Sequence, residues 1–245
     1  MTRRTTRTTS AAGAIVIALL AGAIAITSQA SGTNAPTDIP RTAPVSTAAP
    51  KPPAEISADA AAALEQLEQL VVAEATNQDS YERDEFGQRW ADIDRNGCDQ
   101  RNDMLAAALE NTTTKPGTHG CVVLTGTLHD PYTGLTIAFE RGQGTSELVQ
   151  IDHVVPLAWG WRQGADEWDK GQRERFANDP LNLQATDGSA NQSKSDRGPS
   201  EWMPPNTDYG CTYAARFVDV LDSYQLTVNP DDYSALHTQL TNCTA

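Results

Sequence analysis

Residues 148–157 read Leu-Val-Gln-Ile-Asp-His-Val-Val-Pro-Leu and decide how the rest of the chain is interpreted. The β-branched side chains predict a strand, and Pro156 lies shortly after its expected end. Consecutive side chains of an ideal strand point to opposite faces, so Asp152 and His153 can serve one site only where the strand ends and the chain turns. We therefore expect a strand that ends in an Asp-His pair.

Two further strands are expected before this one, over residues 121–129 and 135–140, with the polar turn His-Asp-Pro-Tyr-Thr-Gly between them. The third strand would cover residues 147–153. A glycine-containing loop at residues 142–146 joins the last two strands, and its composition is typical of a hairpin. The sequence thus predicts a hairpin whose second strand carries the Asp-His pair.

Helices are predicted on both sides of these strands, so the expected fold class is α+β. Ser57 is a plausible N-cap of the first helix, and Ser189 and Gln192 have the spacing of a capping box. The predicted helices cover residues 57–77, 100–109, 157–162, 167–177, 189–195, 213–224 and 233–242.

Three polar residues follow the Asp-His pair along the chain: Asn182, Asn191 and Lys194. Lys194 lies three residues after Asn191, on the same helix face. Each residue alone is more often structural, and their occurrence together in this order favours a functional site.

This order of residues resembles the ββα-metal (His-Me finger) fold of HNH endonucleases. In particular, it resembles secreted HNH proteins that are similar to the C-terminal nuclease domain of the GmrSD modification-dependent restriction enzyme. The resemblance covers residues 151–205, from IDHVVPL to EWMPP, and continues more weakly through residues 81–83 and 96–102. It implies a ββα-metal nuclease core with added packing helices.

The resemblance also implies a role for each matching residue. Asp152 and Asn191 would bind one Mg²⁺ or Mn²⁺ ion, which prefers oxygen ligands such as those of aspartate and asparagine. His153 would be the general base, since a neutral histidine can take a proton from water near neutral pH. Asn182 would orient the histidine, and Lys194 would contact phosphate or steady the site. The third motif position is Asn191 where the motif name has histidine, a variant that occurs in the family. The expected reaction hydrolyses the phosphodiester bonds of nucleic acid, with DNA as the expected substrate and 5′-phosphate and 3′-hydroxyl ends as products.

The charge of the chain works against this interpretation, because the formal net charge is -14 and the isoelectric point about 4.6. Nonspecific affinity for nucleic acid comes from lysines and arginines that neutralise phosphates. Basic residues are nevertheless concentrated around the predicted site. Arg173, Arg175 and Arg197 are the expected substrate contacts, with solvated ion pairs as the alternative.

The amino-terminal residues indicate export. Residues 1–30 combine three arginines, a short apolar stretch and small residues, as in a secretory signal peptide. Residues 31–56 are rich in proline, alanine and threonine and are expected to form a disordered linker. The nuclease domain would then cover residues 57–245, with its core at about residues 120–205. We expect a secreted monomer, possible association with the cell envelope, and no stable membrane partner; an uncleaved membrane anchor is the alternative.

Four cysteines in an exported protein suggest two disulfides. Of the three possible pairings, Cys98–Cys121 with Cys211–Cys243 is favoured because each pair brackets one local segment. A zinc site would require closely spaced pairs such as C-x-x-C, which the sequence lacks.

Two further alternatives remain at this point. Asp92, Asp94 and Asn96 alternate as in a calcium loop, but the position of the required glutamate is Asp103, so a polar turn is the competing interpretation. The chain could also be a non-catalytic exported protein that keeps the HNH fold to bind a surface or partner. A different hydrolase, acting on the cell envelope, is disfavoured because H-E-x-x-H and G-x-S-x-G are absent.

Overall fold

A computed structural model of the protein describes residues 57–243. The expected signal peptide (1–30), the expected linker (31–56) and the last two residues lie outside this range. Within residues 57–243, no helix is both long enough and apolar enough to cross a membrane.

Seven α-helices and five strands make up the regular structure of this range, together with short 3₁₀ turns. Their order along the chain is α1 (Ala58–Leu67), α2 (Gln100–Ala108), β1 (Leu109–Thr114), β2 (Val123–His129), β3 (Thr136–Glu140), β4 (Val149–His153), α3 (Leu157–Arg162), α4 (Lys170–Asn178), β5 (Leu183–Asp187), α5 (Gly188–Lys194), α6 (Gly210–Tyr224) and α7 (Pro230–Thr241).

The strands form two separate antiparallel sheets, one of order β1-β2-β3 and one of order β4-β5. The predicted hairpin between the second and third strands is therefore wrong. A 3₁₀ turn at Ser146–Leu148 separates β3 from β4. Strand β4 pairs with β5 because both bury alternate apolar residues, Val149 and Ile151 on one strand and Leu183 and Ala185 on the other, in the same cluster.

Helix α5 follows β5 without a loop, so the unit β4, β5 and α5 is continuous apart from the connection between its strands. The cap of α5 is Asp187, whose side chain accepts a hydrogen bond from the backbone N–H of Ala190. The predicted capping box at Ser189 is therefore displaced by two residues. A Cβ atom on Gly188 would lie 2.1 Å from the backbone oxygen of Glu147, so this close approach of helix and chain needs a glycine.

Helix α1 has the predicted N-cap at Ser57 but ends at Leu67, ten residues before the predicted end. Beyond it the chain becomes extended, and Val72 forms an isolated parallel bridge with Val228. The β-branched side chains of Val71 and Val72 favour this extended conformation over a helix.

Two hydrophobic clusters stabilise the fold. The larger cluster unites α1, α3, α4, α6 and α7 and includes Val154 and Val155, whereas the smaller one lies between α2 and the two sheets. The end of β4 is therefore the place where the chain passes from the smaller cluster, at Ile151, into the larger one.

Both favoured disulfides are present, Cys98–Cys121 and Cys211–Cys243. The segment before Cys98 is a polar turn in which the Asp92 carboxylate accepts hydrogen bonds from the backbone N–H groups of Asn96 and Gly97. No group of three or more histidine, cysteine or acidic side chains within residues 57–243 is arranged to hold a metal ion. The hydrogen bonds of Asp92 agree with the polar-turn interpretation of this segment.

Candidate active site

An open cavity of about 430 Å³ lies at the end of β4. The predicted residues Asp152, His153 and Asn191 all line it, the first two from β4 and the third from α5. Tyr81 and Arg83, from the segment before α2, also line the cavity. The fold therefore brings together three predicted side chains that are up to 39 residues apart in the sequence, from Asp152 to Asn191.

Asp152 is buried, with 5 % of its surface exposed, and both of its carboxylate oxygens have partners. The Lys194 ammonium lies 3.1 Å from Oδ1 and 2.9 Å from Oδ2, and the Tyr132 hydroxyl donates to Oδ2 at 2.7 Å. Burial raises the pKa of Asp152 and lowers the pKa of Lys194, while their mutual attraction opposes both shifts. Lys194 also donates to the backbone oxygen of His153, so it holds the whole Asp-His pair.

The His153 ring is held by one backbone carbonyl, because its Nε2 lies 2.9 Å from the oxygen of Ala177 in α4. A carbonyl can only accept, so Nε2 carries the hydrogen and the neutral ring keeps Nδ1 free as an acceptor. The ring is nearly parallel to that of Trp90, with 6° between their planes. Burial lowers the pKa of His153 to about 4, and the nearby charges of Arg83 and Lys194 act in the same direction.

Asn182 is fully buried immediately before β5 and fastens the turn that follows His153. Its side-chain oxygen accepts from the backbone N–H of Val155 at 2.8 Å, and its amide group donates to the backbone oxygens of Val155 and Phe176. Its own backbone oxygen accepts from Val154. These bonds let the chain turn sharply after the strand, which is the condition for Asp152 and His153 to serve one site.

Asn191 lies in the middle of α5 and donates from its Nδ2 to Oε1 of Gln150 at 2.8 Å. This bond orients the amide so that Oδ1 is the atom left to accept or to bind a cation. A carboxylate and an amide oxygen on one cavity wall suit Mg²⁺, which usually keeps several of its waters and takes few protein ligands. The residues present therefore fit the expected metal, although Asp152 is already neutralised by Lys194.

Comparison with known proteins agrees with this arrangement. The chain matches the family described as GmrSD restriction endonucleases, C-terminal domain, over residues 99–238. It belongs to this family. A relative from Arthroderma benhamiae, described as an uncharacterized secreted protein, is 36% identical over 196 residues, which cover 79% of this chain and 90% of the relative. No solved structure matches the chain.

The three arginines expected to contact substrate differ in their surroundings in this GmrSD-family domain. Arg173 is 9 % exposed and is directed inward, where its guanidinium donates to the backbone oxygen of Glu85 and pairs with the Glu85 carboxylate at 3.0 Å. This geometry favours a structural role for Arg173. Arg175 and Arg197 are exposed, and neither is among the residues that line the cavity; their contact with substrate remains a prediction.

Four residues of the site were not singled out from the sequence for a role there: Tyr132, Gln150, Arg83 and Trp90. Gln150 and Tyr132 position Asn191 and Asp152 through single hydrogen bonds. Tyr132 belongs to the turn His-Asp-Pro-Tyr-Thr-Gly, and Arg83 belongs to the weaker part of the family resemblance. Both stretches were visible in the sequence, but only the tertiary contacts assign them to this cavity.

Proposed function

We propose that this protein is a secreted, metal-dependent endonuclease that hydrolyses phosphodiester bonds of nucleic acid, with DNA as its substrate. In this proposal β4, β5 and α5 form the ββα-metal core. The observation that carries it is the placement of His153, which is fixed by a carbonyl at Nε2, beside Asp152 and Asn191 in one open cavity. Membership of the GmrSD C-terminal domain family supports the same class of reaction.

His153 would act as the general base through Nδ1. The hydrogen bond to Ala177 fixes the tautomer and the plane of the ring, and the lowered pKa keeps the ring neutral at physiological pH. A neutral imidazole nitrogen that faces a water molecule can accept its proton as the water attacks phosphorus. Asn182 would support this step by fixing the turn after β4.

Asp152 and Asn191 would supply the protein oxygens for one Mg²⁺ or Mn²⁺ ion. When bound, such an ion neutralises charge on the phosphate and stabilises the leaving oxygen. Lys194 is fully buried against Asp152, so we assign it the task of positioning the carboxylate rather than of contacting phosphate.

The decisive experiment is incubation of a plasmid with the purified protein in Mg²⁺, in Mn²⁺ and in EDTA. We expect nicking and linearisation with either metal, none in EDTA, and none by His153→Ala. His237→Ala is the matched control, because His237 is an exposed histidine on α7. No cleavage with either metal, or cleavage that survives His153→Ala, would contradict the proposal; a parallel assay with single-stranded RNA determines the substrate preference.

The secreted relative and the two disulfides support export as part of the proposal. Residues 1–30 would be removed as a signal peptide, and the nuclease domain, residues 57–245, would act as a monomer. Mass spectrometry of protein recovered from the culture medium tests the cleavage point. The membrane-anchored alternative predicts instead that the protein is found in the membrane fraction with residues 1–30 retained.

A further inference from the structure

Arg83 lines the candidate active site but belongs to a distant part of the sequence. It is the first residue of a 3₁₀ turn, Arg83–Phe86, and shares the cavity wall with Asp152, His153 and Asn191. Its charge is one of the causes that lower the pKa of His153. A guanidinium is therefore present close to the proposed base.

The turn that carries Arg83 is firmly attached to the same helix that holds His153. Phe86 is fully buried against Phe176 of α4, and Glu174 of α4 accepts from the backbone N–H of Gln88. A Cβ atom on Gly87 would lie 2.8 Å from Glu174, so turn and helix are in direct contact. Because Ala177 of α4 also holds the His153 ring, one helix sets the positions of both groups.

The guanidinium of Arg83 lacks a partner among residues 57–243. Its Nη1 is buried and has no hydrogen-bond acceptor, and the side chain takes part in none of the ion pairs of this range. The buried or half-buried arginines of the same region all have acceptors: Arg162 pairs with Asp196, and Arg173 with Glu85. Burial lowers the pKa of Arg83, and the neighbouring positive charge of Arg89 lowers it further. Burying part of a cation costs free energy unless an anion pairs with it and accepts its hydrogen bonds.

The other charges of the cavity wall are already balanced. Asp152 is paired with Lys194, and Asp196 is paired with Arg162. Among the described residues that line the cavity, Arg83 is thus the one lysine or arginine, and it forms no ion pair within residues 57–243. An anion that enters the cavity would therefore meet a guanidinium that is not engaged in an ion pair.

We propose that Arg83 binds a phosphate group of the nucleic-acid strand inside the active-site cavity. This inference rests on the proposed function and adds the residue that holds the substrate next to His153. A guanidinium suits this task because its planar donors match two oxygens of a phosphate. Since the rest of the protein is strongly acidic, we further infer that phosphate contacts are few and that Arg83 supplies a large share of them.

The test measures equilibrium binding of a fluorescently labelled DNA oligonucleotide to the full chain in a His153→Ala background, which prevents cleavage. Arg83→Gln is compared with Arg83→Lys and with Lys115→Gln, which removes a positive charge from an exposed turn outside the cavity. We expect Arg83→Gln to weaken binding by about 10- to 100-fold, with partial recovery in Arg83→Lys. The slope of log affinity against log salt should fall by about 0.7–0.9 in Arg83→Gln, and Lys115→Gln should match the parent.

Thermal unfolding without ligand separates binding from folding. Nη1 of Arg83 has no hydrogen-bond partner and the side chain forms no ion pair within residues 57–243, so Arg83→Gln should melt no lower than the parent protein. Affinity and salt slope that are unchanged in Arg83→Gln, or no oligonucleotide binding at all, would overturn the inference. If the wild type cleaves plasmid and Arg83→Gln leaves the affinity and the salt slope unchanged, this inference fails and the proposed function stands. If the wild type does not cleave but binds DNA through Arg83, the proposed reaction fails and the phosphate site stands.

Discussion

At the scale of single residues, the buried pair of Asp152 and Lys194 is the most consequential feature. Removing two charges from water is costly, and only close contact and additional hydrogen bonds offset it. The pair has both, because Tyr132 donates to the carboxylate and the His153 carbonyl accepts from the ammonium. The pair therefore keeps an acidic oxygen at the cavity wall in a fixed position.

We predict that Lys194→Met lowers the free energy of unfolding by about 3–5 kcal/mol, because it leaves Asp152 buried without its counterion. The double variant Asp152→Asn with Lys194→Met should recover part of this loss, since the buried charge is then gone. Urea unfolding in the presence of a chelator measures both values. Equal stability of the single and double variants would show that the charge is not the cause.

His153 should make the metal-free protein sensitive to acid. Its pKa is about 4 in the folded chain and near 6.5 when unfolded, so between these values the unfolded chain binds more protons. The contribution of the neutral ring to stability is thus complete above about pH 6.5 and is lost as the pH falls towards 4. The melting temperature, measured in chelator, should fall more steeply over this window for the wild type than for His153→Asn. If the melting temperatures of the wild type and of His153→Asn fall in parallel with pH, the pKa of His153 is not lowered in the folded chain.

At the scale of elements, the site depends on a strand, a long connection, a second strand and a short helix. Strand β4 and helix α5 were predicted closely, because an apolar strand that ends near a proline and a short helical segment are local patterns. The partner of β4 was not predicted. Strand β5 is short and partly polar, and only its packing with Val149 and Ile151 in the smaller cluster identifies it. Pairing between strands this far apart is decided by tertiary packing rather than by local sequence.

The cap of α5 offers a direct comparison of the sequence prediction with the structure. Asp187→Ala should cost about 0.5–2 kcal/mol of stability, because the carboxylate that caps Ala190 is lost. Ser189→Ala, at the position that the sequence suggested, should change stability by less than about 0.5 kcal/mol, since this side chain is exposed. Chemical denaturation of both variants distinguishes the two capping arrangements.

At the scale of the whole molecule, two hydrophobic clusters and two disulfides stabilise the fold of residues 57–243. The Cys98–Cys121 bond connects the segment before α2 with the connection between β1 and β2, and Cys211–Cys243 connects α6 with the residues just after α7. The pairing was predictable because each bond closes a local loop. The positions of Arg83 and Tyr132 were not predictable. Nothing in the sequence near Arg83 indicates that it lines the cavity, and nothing near Tyr132 indicates that it donates to the Asp152 carboxylate.

Loss of the Cys211–Cys243 bond should destabilise the protein more than loss of Cys98–Cys121. Loop closure alone gives about 3–4 kcal/mol for either bond. Cys243 is also 1 % exposed within the larger cluster, so Cys211→Ala with Cys243→Ala loses packing as well. Melting temperatures of the two double variants provide the measurement. A larger loss for the Cys98–Cys121 pair would mean that the smaller cluster is the weaker part of the fold.

The passage of the chain from one cluster to the other at the end of β4 has a consequence for when the candidate site can form. Ile151 packs in the smaller cluster and Val154 in the larger one. A chain in which either cluster has not formed therefore cannot hold Asp152 and His153 in their positions in the cavity. If the chain is the proposed nuclease, it would be inactive as long as it is unfolded. A producing cell would then be protected from cleavage of its own nucleic acid during synthesis, because the proposed site forms only when both clusters have folded.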